Sequence, residues 1–214
     1  MSARTSLFLL ILLAPSGARA EDWLQSAENA ARSAAVPGEA SPEKPKPGRQ
    51  VLAPASRFFL ADLPSVGWRP NEEEGASGSV VRVFGPDDPS GRFRAVLSVR
   101  LVDRDSAGFQ PVKRAIDAMR AADSAVARSA TSVRPLRVPA GLARTFEVVE
   151  TRRLPAEEGP STPIEIHHYV AVIPHGGEAY FVVRLATARA NYLDFRDDFV
   201  RFLRSLRPLG ATGR

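Results

Sequence analysis

Between Ile164 and Leu206 the chain changes its hydrophobic period, and this constrains the fold more than any other stretch. Ile164, Ile166, His168, Val170 and Val172 alternate with Glu165, His167, Tyr169 and Ala171. His175-Gly176-Gly177 breaks the run, and Ala179, Phe181, Val183 and Leu185 then alternate with Tyr180, Val182, Arg184 and Ala186. Alternation of this kind predicts two strands joined as a hairpin. From Tyr192 the period becomes about 3.6: Tyr192, Phe195, Phe199, Phe202, Leu203 and Leu206 share one helical face. A helix this aromatic on one side needs a sheet to cover, and the hairpin supplies part of it.

Upstream segments extend the pattern. Phe58 to Pro64 reads as a strand and Val66 to Arg69 as its short return. Asn71 to Ser79, with three glutamates and two glycines, reads as a loop, and Val80 to Phe84 as a strand. Gly85 to Gly91 reads as a turn. Phe93, Ala95, Leu97, Val99 and Leu101 alternate with Arg94, Val96, Ser98 and Arg100, the longest strand signal in the chain. Phe109, Val112, Ile116 and Met119 mark an amphipathic helix running to about Val126, with Pro111 in its first turn. Strands at 133–138 and 142–151 follow, turned by Pro139-Ala140-Gly141. Arg153 to Pro163 reads as a loop; Asn191 stands where a cap would for the last helix, and Pro208 stops it. Sequential strands joined by short turns, with helices packed on them, predict an α+β domain with an antiparallel sheet.

Before that domain the chain changes character. Arg4, the apolar run Leu7 to Ala14 and Ala18-Arg19-Ala20 have the form of a secretory leader ending near Ala20. The run is far short of the ~20 residues that span a bilayer. Residues 21–36 hold a weak alanine stripe that predicts a short helix. Pro37, Pro42, Pro45, Pro47 and Pro54 then mark an extended linker up to residue 56. The expected location is periplasmic or secreted.

Composition narrows the chemistry. The formal charge is +5, and the mature chain without Arg4 and Arg19 carries +3, too little to argue for nucleic acid. There is no cysteine, which excludes disulfides, thiolate metal sites, a cysteine nucleophile and lipid attachment through cysteine. His167 and His168 are neighbours on a strand and point to opposite faces, and His175 sits in a turn. No HExxH or GxSxG pattern occurs. Ser41-Pro42-Glu43-Lys44 matches an SxxK string but lies in the proline linker, and no helix is expected after Gly75-Ala76-Ser77-Gly78 to hold a phosphate. Glu72-Glu73-Glu74 reads as a solvated charge run.

One constellation remains. If the apolar strand faces all point towards the helices, Arg82, Arg94, Arg100, Glu147, His167 and Arg184 lie together on the opposite face, with His168 on the helix-covered side. Such a face solubilises the sheet through cross-strand pairs, or docks an acidic partner or anion.

The Phe59-x-x-x-Leu63-Pro64-x-x-Gly67-Trp68 string and the strand–helix–strands–helix order ending in Ser205-Leu206 resemble the PsbP-like fold family over roughly residues 57–209. That family spans the extrinsic photosystem II subunit, a Ran-binding Mog-like import factor, and bacterial envelope proteins of the DcrB and LpqN kind. The resemblance implies an α/β/α sandwich with a central antiparallel sheet flanked by two main helices. It also implies a non-enzymatic accessory or binding role, with no catalytic set, cofactor or metal position to carry over. The expected function is therefore a secreted binding protein that docks an unidentified protein or envelope component. The alternatives are a small-ligand or metal-binding carrier, and a hydrolase using His167 or His175.

Overall fold

The computed structural model describes residues 51–54, 58–64, 67–75, 78–106, 108–123, 127–154 and 161–209. The expected leader, the helix over 21–36 and the linker up to residue 50 lie outside the described residues. The elements in chain order are β1 (Val51–Leu52), β2 (Phe59–Asp62), β3 (Arg69–Gly75), β4 (Gly78–Asp87) and β5 (Arg94–Val102). Then come α1 (Val112–Arg120), β6 (Ser129–Ala130), β7 (Arg134–Val138), β8 (Gly141–Leu154), β9 (Thr162–Pro174) and β10 (Tyr180–Ala188). A 3-10 turn (Arg189–Asn191), α2 (Tyr192–Ser205) and β11 (Arg207–Pro208) complete the described chain.

Eight strands form an antiparallel sheet in the order β3-β4-β5-β10-β9-β8-β6, with β7 also paired to β8. A small second sheet has the order β1-β2-β11. Val51 and Leu52, inside the expected linker, pair with Asp62 and Ala61 and so belong to this sheet. The architecture is α+β.

The helices sit on opposite faces of the large sheet. The predicted ridge of α2 is in place: Phe199, Phe202, Leu203 and the following Leu206 are buried with Leu97, Val99, Ala171, Phe181 and Val183. Phe59 of β2 meets Phe202 at 6.4 Å, which ties the small sheet to the same core. Fully burying side chains of this size contributes roughly 1.5–3 kcal/mol each. On the other face Ile116 of α1 is buried with Phe146, Val148, Val170 and Val172, flanked by Val112 and Met119. The even-numbered positions of β9 therefore face α1, while the odd-numbered positions of β10 face α2.

Three local expectations change. The acidic run is not a loop: Arg69 to Gly75 pairs with Phe84 to Gly78 as edge strand β3. An edge strand keeps one side of its backbone unpaired by the sheet, a position where charged residues are at home. The first helix ends at Arg120, because Ala121 has extended backbone (ψ 135°). Asn191 stands at the start of α2 without a side-chain capping bond, while Asp194 occupies the first turn, where the helix dipole favours an acid.

Trp68, the last residue of the Phe59-to-Trp68 string, lies buried, with its ring edge-on to Phe195 at 5.5 Å. Gly85 backs it on β4: a Cβ there would fall 2.9 Å from the indole. The β9–β10 turn closes through the His175 N–H donating to the Ala179 carbonyl at 2.8 Å, with Gly176 and Gly177 both at positive φ (47° and 54°).

Candidate functional site

The strand register decides which side chains meet. On the α1 face, Arg82 of β4 lies opposite Ser98 of β5, and Ser98 lies opposite Arg184 of β10. Arg94 and Arg100 share that face of β5. Four of the six residues expected together, Arg82, Arg94, Arg100 and Arg184, are thus assembled. Arg94 forks onto Asp87 at 2.8 and 2.9 Å. Arg82 and Arg184 are buried, and Arg100 is half-buried. The face is therefore not a uniformly solvated one. Burial lowers the Arg82 and Arg100 guanidinium pKa values from their usual range.

Glu147 and His167 are not part of it. Glu147 pairs with Tyr169 and His167 with Val149, on the side of the sheet that carries α2. There they hold the start of that helix. The Tyr192 hydroxyl donates to Glu147 Oε2 at 2.9 Å, and the His167 ring lies 4.2 Å from the Tyr192 ring. Tyr169 stacks on Tyr192 at 5.2 Å and donates its hydroxyl to the Tyr192 carbonyl at 3.2 Å. The expectation failed because it gave the sheet a single apolar face, whereas helices cover both.

A buried polar line crosses the α1 face. Glu150 of β8, His168 of β9 and Arg184 of β10 sit on a diagonal over three neighbouring strands, a spacing that long side chains bridge. Their exposures are 1%, 3% and 7%. Glu150 Oε2 accepts from Arg128 Nε and Nη2 at 3.0 and 2.9 Å, and Oε1 from Arg152 Nε at 2.8 Å. His168 Nε2 lies 3.0 Å from Glu150 Oε1, and His168 Nδ1 lies 2.6 Å from Arg184 Nη2 and 3.1 Å from its Nε, with Nη2 also 3.0 Å from Nε2, so the guanidinium approaches chiefly the Nδ1 side.

Donor and acceptor chemistry assigns the tautomer. A guanidinium only donates, so Nδ1 is the bare nitrogen; an ionised carboxylate only accepts, so Nε2 carries the hydrogen. Burial, and then the Arg184 charge, push the His168 pKa down to about 3. Burial pushes the other way on Glu150, but the His168 hydrogen bond and the charges of Arg152 and Arg184 hold its carboxyl well below the usual carboxylate range. The centre of the line is thus a neutral imidazole wedged between a carboxylate and a guanidinium.

Glu150 carries no label in a composition count. Its signal is phase: it follows Phe146 and Val148 at alternate positions, so it faces the same interior. Arg128 reaches it from outside the strand, and nothing in spacing marks that partnership.

The other histidines do not build a shared site. His167 Nε2 lies 2.7 Å from Glu165 Oε1, and Glu165 Oε2 meets Arg189 at 3.4 Å. No serine or threonine hydroxyl is hydrogen-bonded to His167 among the described residues. His175 packs its ring against Phe181 at 5.0 Å. His175 is eight residue steps along from His167, roughly 26 Å at strand rise, so one ion cannot take both. No group of three His, Asp or Glu side chains able to hold a metal occurs among the described residues.

No family model and no curated protein sequence matches the chain. Several solved structures are similar to it, two of them as follows. One is cyanobacterial PsbP from Synechocystis, with TM-score 0.46 and 13% identity, covering 80% of this chain and 98% of that one. The other is a protein from Bacteroides thetaiotaomicron, with TM-score 0.45 and 8% identity, covering 78% of this chain; the match spans 50% of that protein's length.

Proposed function

We propose that the chain is a non-enzymatic accessory or binding protein of the bacterial envelope. It is exported by the leader over 1–20 and docks a protein or envelope partner through the arginine-bearing face of its sheet. The observation that carries this reading is the engagement of His168. Both its ring nitrogens are taken, one by Glu150 and one by Arg184, so neither is left to move a proton for a substrate. A buried group so occupied holds shape. Arg94 and Arg100, more exposed than Arg82 and Arg184, present the charge.

The test is affinity capture from an envelope extract with the mature chain, alongside Arg94→Glu and Arg100→Glu. Loss of a specifically captured component in both variants, with unchanged thermal melts, is the expected result. Undiminished capture removes this face as the docking surface.

A further inference from the structure

The hairpin β7–β8 carries a surface of a different kind. From Arg134 to Arg144 the chain holds three arginines, no acid and no aromatic residue. Register sets Arg137 directly opposite Leu142 and Pro135 opposite Arg144, so Arg137, Leu142 and Arg144 share one face of the hairpin. Leu142 is 57% exposed, one of the few large apolar side chains left open among the described residues. Arg137 and Arg144 are exposed beside it. No ion pair joins Arg134, Arg137 or Arg144 to an acid among the described residues. Other exposed arginines, such as Arg104 with Glu178 and Arg189 with Glu165, do sit beside a carboxylate.

We propose that this hairpin is a reversible attachment point for an anionic phospholipid surface. Leu142 enters the boundary between headgroups and acyl chains, and Arg137 and Arg144 fork onto headgroup phosphates. An arginine fork matches phosphate oxygens in pairs. A leucine framed by cations suits an interface that is apolar below and anionic above. A protein partner is the weaker fit, because tight protein contacts centre on aromatic anchors in pockets and this hairpin has no ring to offer. Two arginines and one leucine give a weak, salt-sensitive contact. The surface lies on the β7–β8 hairpin, whereas the docking face proposed above lies on β4, β5 and β10, so either can fail without the other.

The experiment is sedimentation of the mature full chain with vesicles of phosphatidylcholine alone and with roughly one third phosphatidylglycerol. Binding is expected only with phosphatidylglycerol, and it falls as salt rises. Arg137→Glu with Arg144→Glu lowers the partition coefficient ~10-fold or more. Leu142→Ala lowers it ~5-fold, and the double lysine variant stays within about 3-fold of the parent because charge is kept. All three side chains are exposed, so the variants should melt with the parent chain. Absence of binding to phosphatidylglycerol vesicles, equal binding to pure phosphatidylcholine, or no loss in the double glutamate variant overturns the proposal. Capture by immobilised poly-glutamate without vesicle binding overturns it in favour of an acidic protein.

Discussion

His167 and His168 are neighbours in the chain and live in different molecules, chemically speaking. His168 faces α1, is 3% exposed, and is locked between Glu150 and Arg184. His167 faces α2, keeps a partly exposed Glu165 as partner, and lies against Tyr192. One step along a strand reverses the side chain, so the face, and not the residue type, sets burial, charge and role. The same holds for the two sides of the sheet. The α2 side is packed chiefly by aromatic and aliphatic groups; the α1 side combines an apolar half with a charged line that has to be satisfied bond by bond.

The largest break in that contrast should come from Glu150→Ala. It leaves Arg128, Arg152 and the His168 N–H around an empty carboxylate position at a buried site. Removing one partner of a buried ion pair costs about 3–5 kcal/mol, measurable as a lower urea midpoint. An equal midpoint would mean the line does not contribute to stability.

The next effect is on pH dependence. His168 has a folded pKa of about 3, below its ordinary value of 6.5. Below 6.5 the unfolded chain therefore binds a proton that the folded chain refuses. The stability is present above pH 6.5 and is lost as pH falls, by up to about 1.4 kcal/mol per pH unit. Glu150, also depressed, adds loss of the same sign at more acid pH, below its ordinary 4.5. His168→Gln offers a donor to Glu150 and an acceptor to Arg184 without titrating. Urea unfolding at a series of pH values should show a flatter acid limb in this variant; an unchanged limb would exclude His168 as its source.

His167→Ala should do least. It removes a partly exposed pair with Glu165 and one ring contact, and surface pairs of this kind are worth about 0–1 kcal/mol. A cost as large as that of Glu150→Ala would erase the distinction between the two faces.

Much of the fold was legible. The alternations at 93–101, 164–172 and 179–185 became β5, β9 and β10, and the Phe195-Phe199-Phe202 ridge became the buried face of α2. The acidic edge strand β3 was not legible, since glutamates and glycines are depleted in strands and only pairing with β4 holds them there. Of the candidate face, the arginines on β4, β5 and β10 share one side of the sheet, but it is the side that carries α1 and not an open one, and Glu147 and His167 lie on the other side. Each strand alone shows which of its residues alternate, but two covered faces give both phases an apolar reason.

Period and composition, taken by themselves, settled that this chain makes strands, a hairpin and an aromatic-ridged helix, because those patterns are local consequences of backbone geometry. Which helix each strand face meets, and that Glu150, His168, Arg184 and Arg128 converge, were decided only by the assembled sheet. Those partners are far apart along the chain, and cross-strand register alone brings them within bonding distance.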